Sequence, residues 1–169
     1  MNYREVQQFN QPWLWVMMGL VNLVVIVVFG YGVVRQLTLG ELWGTSPMSD
    51  TGLLVVGAIM ILGTLAITWM LFRMKLIVEV NNREVFIKMR PFLKRLIAFS
   101  EIDECQSQQY EPLREYVGWG IRWGRNGMAY NIRGDHGVRL KLKNGKNLLI
   151  GSQRSEELAA AIREGLEST

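Results

Sequence analysis

The sequence has one cysteine, Cys105, and one histidine, His136, among 169 residues. A single thiol closes no intramolecular disulfide. That excludes a disulfide-stapled scaffold and suits a domain kept on the reducing side of a membrane. One thiol and one imidazole are too few for a zinc site of the usual nitrogen–sulfur type, and no cysteine–histidine catalytic pair follows from their positions. Charge is missing from two long stretches: Asp, Glu, Lys and Arg are absent from Val6 to Val34 and again from Thr51 to Phe72. The opening "MNYREVQQFNQP" lacks a basic n-region. The apolar run behind it is too long for a signal-peptide core and has no small-residue cleavage site after it, so no cleaved leader is expected. There is no internal repeat and no low-complexity tract. "GWG" and "WGRNG" lack the spacing of a P-loop or dinucleotide-binding loop. Glu101, Asp103 and Glu104 cluster without an identifiable acid or base partner. The expectation is a non-enzymatic protein with no metal and no cofactor.

Two apolar runs come first among the features present. Trp13–Val34 and Thr51–Phe72 are each about 22 residues, or about 33 Å of helix, enough to cross a hydrocarbon core of about 30 Å. Pro12 suits a first helical position, and Ser46, Ser49 and Asp50 are capping candidates for the second run. Trp13, Trp15, Tyr31, Trp43, Trp69 and Phe72 fall near the ends, where interfacial aromatics collect. The sequence therefore predicts a membrane hairpin over residues 1–72. Asn22 is the strongly polar side chain deep in the first span, and Thr64 lies at nearly the same depth in the second. A hydrogen bond between them would hold the hairpin. Neither run contains an ionisable residue of the kind a channel or proton relay needs, and neither contains GxxxG.

Only Arg4 and Arg35 of the 19 basic residues precede Arg73, and from Arg73 onward 17 basic residues face 12 acidic ones. The connecting segment Arg35–Asp50 holds one basic and two acidic residues. Arg73, Lys75, Arg83, Lys88 and Arg90 follow the second run. The positive-inside bias then places residues 73–169, and with two spans the N-terminus too, in the cytoplasm. Leu39, Leu42 and Trp43 of the loop would rest on the far bilayer surface.

Beyond Phe72 the apolar period becomes two. "KLIVEV" and "EVFIKMR" flank an "NNR" turn, Pro91 ends the second strand, and a third begins near Arg95–Phe99. "CQSQQY" reads as a further strand and "EPLREYVG" as a loop or short helical turn. "WGIRW" and "GMAYNIR" flank a turn at Asn126-Gly127, and Asn144-Gly145 joins "GVRLKLK" to "KNLLIG". "RGD" at Arg133–Asp135 reads as turn chemistry. In the tail, Ser152 is the expected N-cap, and Leu158, Ala161, Ile162 and Leu166 form one apolar helical stripe. About seven or eight antiparallel strands plus one amphipathic helix predict a small barrel with the helix plugging one open end.

Gly118–Ile162, "GWGIRWGRNGMAYNIRGDHGVRLKLKNGKNLLIGSQRSEELAAAI", resembles the second half of the bacterial pleckstrin-homology-like domains found in small membrane proteins with paired spans. There a pattern GxGIR…G…AYN(I/V)…G…VxLxLxxGxxxxIGSxxxxELAxAI recurs. The resemblance implies the barrel-and-helix fold for the cytoplasmic part, a prokaryotic plasma membrane as the setting, and little about activity. Eukaryotic relatives of the fold bind phosphoinositides through basic groups around the first strand hairpin. Here that hairpin offers only Arg83, so the pocket is not carried over.

The basic residues nearest the membrane are Arg73, Lys75, Lys88, Arg90, Lys94 and Arg95. They are expected to serve as topogenic charge and to contact anionic lipid heads. The ladder Arg139, Lys141, Lys143, Lys146 reads as a solvated strand face, so no nucleic acid is expected, and Trp119 and Trp123 read as core. The functional expectation is a membrane-anchored binding or assembly module whose partners are the bilayer, a protein or another copy of itself. The alternative is a lipid- or amphiphile-binding accessory protein of a membrane transport system.

Overall fold

The computed structural model describes residues 3–124 and 127–168. The chain divides into two compact units. One holds Asn10–Phe72; the other holds the residues up to Phe9 together with those from Arg73 onward.

In the first unit, α1 (Pro12–Val33) starts with its proline at the N-terminal turn, and the helix continues as a π-helical segment over Val34–Thr38. α2 spans Asp50–Arg73. The Ser49 Oγ accepts from the Gly52 N–H at 3.2 Å, which makes Ser49 the cap among the three candidates. Both helices are long and apolar enough to cross a membrane, and most of their large side chains, Leu20, Val24, Ile59 and Leu62 among them, are exposed. Gln36, buried at the end of α1, donates from Nε2 to the Met48 carbonyl and the Asp50 carboxylate, both at 2.8 Å, and so ties the connecting loop to the start of α2. Trp43 folds back on Gly32, where an added Cβ would meet its indole at 2.7 Å, and its ring lies 6.2 Å from that of Phe29. Leu39 and Leu42 are exposed, whereas Trp43 is half-buried.

Among the described residues, the second unit has nine strands in two sheets. The first sheet has the order β1 (Tyr3–Gln8), β2 (Lys75–Val80), β3 (Glu84–Arg90), β4 (Leu93–Ala98). The second is built from β5 (Ile102–Gln109), β6 (Gly120–Gly124), β7 (Gly127–Asn131), β8 (His136–Leu142) and β9 (Asn147–Gly151), in the order β5-β8-β9-β7-β6. A short helix, α3 (Pro112–Tyr116), precedes β6, and α4 (Ser155–Glu167) ends the unit. The inward residues of β2 and β3, Leu76, Val78, Val85, Ile87 and Met89, are fully buried; each contributes about 1.5–3 kcal/mol relative to exposure. Val138, Leu140, Leu148 and Ile150 of the second sheet are buried as well, and α4 adds Leu158 and Ile162 to the buried set.

Five expectations are corrected here. The sheets do not close into a barrel, and the strands number nine. β4 turns through a 3-10 segment, Phe99–Glu101, into the second sheet instead of continuing the first. The pairing is not wholly antiparallel. β8 lies beyond β9 from β7, so β9 runs parallel to β7, with Met128 opposite Leu148 and Tyr130 opposite Ile150. The residues before the hairpin are not part of the helical unit: β1 pairs along its full length with β2, from Tyr3 opposite Val80 to Gln8 opposite Lys75. Finally, α4 begins three residues after Ser152, whose hydroxyl is buried. Three sequence-predicted hairpins stand: β2–β3, β6–β7 and β8–β9 pair as expected. Asn126 lies outside the described residues, and Gly127 takes a φ of 100°.

Candidate functional site

Strand alternation sorts the basic residues. With Val85, Ile87 and Met89 pointing inward, β3 turns Lys88 and Arg90 outward. Lys75 pairs with Arg90 and Lys88 with Lys94, so these four cations occupy two adjacent rows on the outer face of the first sheet. The next row holds Glu79 and Arg4, 3.1 Å apart in an ion pair, with Phe86. Among the described residues, none of the four cations has an ion-pair or side-chain hydrogen-bond partner. Desolvation pushes the Lys88 ammonium below its ordinary value, and the charges of Arg90 and Lys94 push it the same way. The turn joining β3 to β4 exposes Phe92 beside them.

Two of the sequence-predicted groupings are corrected. Arg95 does not share this face: it lies opposite the buried Ile87, on the inner side, where its guanidinium donates to the Tyr130 hydroxyl at 3.3 Å. Arg73 is the last residue of α2, where a cation complements the helix dipole. Asn22 does not bond Thr64. Its Nδ2 donates to Thr68 Oγ1 at 2.8 Å and to the Met18 carbonyl at 2.7 Å. Helical side chains lean toward the N-terminus of their own helix. In two antiparallel helices Asn22 and a residue nearer the end of α2 therefore lean toward each other. Thr64 instead donates to Ile61 and accepts the Thr68 hydroxyl through its carbonyl.

The β6 edge was missed as a surface. Among the described residues, β6 has β7 as its one sheet neighbour. α3 packs on one face of it: an added Cβ on Gly124 would lie 2.2 Å from the Glu115 carbonyl oxygen. Tyr116 and Tyr110 meet edge to face, 5.9 Å apart, above Ala129 and Leu149. α3 leaves Leu113 and Val117 exposed at 68% and 79%. On the opposite face, Trp123 pairs with Met128 and is 74% exposed, which corrects its reading as core. Trp119 donates its indole N–H to the Gly134 carbonyl at 3.3 Å. A groove of about 600 Å³ runs beside α3, lined in part by Tyr110, Leu113 and Trp119. Its acids are engaged: Asp135 with Gln109 and His136, Glu115 with Arg139 and Glu111 with Arg114.

The node that fixes β1 was also missed. Glu5 is buried, and its carboxylate accepts from the Tyr3 hydroxyl at 2.7 Å, the Ser152 hydroxyl at 2.5 Å and the Gln153 N–H at 2.9 Å. Gln7 donates to the Gly151 carbonyl at 2.7 Å, and the Arg154 guanidinium lies 5.0 Å from the centre of the Tyr3 ring. Burial and the Glu5 carboxylate push the Tyr3 phenol above its ordinary value. No protein-family model matches this chain, and no curated protein matches it.

Proposed function

We propose that this chain is a membrane-anchored, non-enzymatic binding module of the pleckstrin-homology-like kind, held on the cytoplasmic face of a prokaryotic plasma membrane, whose partner is an extended segment of another protein. Support for the anchor is the exposed apolar surface of α1 and α2, which needs lipid around it. Support for the cytoplasmic side is the basic run from Arg73 to Arg90. The pleckstrin-homology-like part of the reading rests on the resemblance carried by Gly118–Ile162; the β-rich unit with its C-terminal helix is compatible with it, without the closed barrel.

The observation that carries the binding role is the β6 edge. A strand added beside β6 takes main-chain hydrogen bonds from the edge, and its alternate side chains meet Leu113 and Val117 on one face and Trp123 on the other. A photo-crosslinking residue at Arg122, exposed on this strand, tests it in the full chain in its native membrane. The expected result is one discrete protein adduct that Trp123→Asp abolishes. Lipid adducts alone, or an adduct that Trp123→Asp leaves unchanged, would overturn the reading.

A further inference from the structure

We propose that the β3–β4 end of the first sheet's outer face is a docking surface for an anionic bilayer, with Lys75, Lys88, Arg90 and Lys94 on lipid phosphates and Phe92 entering the interfacial layer. The inference rests on the anchoring half of the proposed function and is independent of the β6 edge.

The charges are arranged, not scattered. Lys75 stands directly opposite Arg90 and Lys88 directly opposite Lys94. Like charges directly opposite across a strand pair destabilise the sheet, and here two such pairs adjoin with no acid among them. Rows on one face of a strand are about 6.6 Å apart, so the four ammonium and guanidinium groups gather over a patch of headgroup size. The acids of this face lie farther along the strands: Glu79 is taken by Arg4 and Glu84 sits at the opposite end, beside the "NNR" turn. The face is therefore mixed: Val6, Ile77, Phe86 and Leu96 share it, its cations gather at one end, and its acids lie beyond.

The cationic end is also where the chain leaves for the helices and returns. Gln8, the last residue of β1, pairs with Lys75, the first of β2. Met74 alone separates Lys75 from the end of α2, and three residues separate Gln8 from the start of α1. Along the chain, this row and not the acidic end is the part of the sheet next to α1 and α2. Between Arg90 and Lys94 the turn projects Phe92, 53% exposed. An exposed aromatic ringed by cations matches an interface that is anionic at its surface and apolar just beneath it. Its occupant is lipid, because the anchor supplies lipid at this end.

The test uses full-length protein in nanodiscs of phosphatidylcholine alone and of an equal mixture with phosphatidylglycerol. Phe92→Cys and, separately, Asn82→Cys carry a nitroxide in a Cys105→Ala background, and collision with oxygen is compared with collision with a water-soluble nickel chelate. In the mixed discs the label at 92 is expected to favour oxygen, while the label at 82, in the exposed far turn, stays aqueous in both. Lys88→Gln with Lys94→Gln is expected to lower the docked-to-free ratio about 25-fold, at about fivefold per charge near an anionic surface. Because the pair removes a like-charge contact, the variant keeps its fold, checked by its unfolding temperature. Identical accessibility at 92 in both lipids, or no effect of the double variant, would overturn the docking surface. Failure of the protein to enter either disc would overturn the anchor, and with it the inference.

Discussion

Glu5 shows what a single side chain decides in this fold. It is a buried carboxylate with three donors, from Tyr3, Ser152 and Gln153. Removing it takes the short acceptor from the fully buried Ser152 hydroxyl and leaves it the Tyr3 oxygen at 3.3 Å. Glu5→Ala is expected to lower stability by about 2–3 kcal/mol, the cost of hydrogen bonds to a charged group left unmade. Glu5→Gln, which keeps one acceptor oxygen, is expected to lose less. Unfolding of the full chain in detergent measures both, and an unchanged midpoint for Glu5→Ala would remove the node from the account. Burial also raises the Cys105 thiol to about 11 and the Tyr110 phenol to about 12. The unfolded chain ionises these groups near pH 9 and 10. Stability from keeping them neutral is therefore full below about pH 9 and is lost as the pH climbs toward 12. Alkylation of Cys105 near pH 8 is expected to be about a hundredfold slower in the folded chain than in the urea-unfolded one, because the thiolate is the nucleophile. Comparable rates would mean that the thiol is not buried.

Among the elements, the apolar helices, the alternating β2, β3 and β8 and the asparagine–glycine turn of β8–β9 were legible, because each is written in local periodicity. β1 was not, because its inward residues are Tyr3, Glu5 and Gln7 and its outward centre is Val6. The usual alternation is reversed, and polar partners at the β9–α4 junction stand in for apolar contact. Arg95 was misassigned for the same reason, as an inward cation satisfied by Tyr130. The parallel β7–β9 pairing is set by which side of β9 the chain takes, which no local signal records. The cationic patch was legible as residues and not as a face, since only the register separates Lys94 from Arg95. α4 offers a test of element packing. A Cβ on Gly165 would lie 2.2 Å from the ring of Phe99, itself almost fully buried. Gly165→Ala is expected to force that ring out and to destabilise the β unit by about 1–3 kcal/mol. An unaltered unfolding midpoint would show that the helix end is free to shift.

At the scale of the whole molecule, the pairing of β1 with β2 has a topological consequence. One sheet is assembled from chain that precedes α1 and chain that follows α2. If both helices cross the bilayer, the residues before α1 must lie on the same side as the β unit, since a strand ladder cannot form through lipid. The loop containing Leu42 then lies on the other side. With the Cys105→Ala background, an impermeant maleimide is expected to label Arg4→Cys and Ser168→Cys from the face of a sealed vesicle that corresponds to the cytoplasm, and Leu42→Cys only from the opposite face. All three positions are exposed in the structure. The charge pattern and the sheet register are independent reasons for this arrangement, one acting during insertion and the other in the folded state. Labelling of Arg4→Cys and Leu42→Cys from the same face would show that α1 does not cross, and would leave the first sheet without the anchor on which both functional proposals depend.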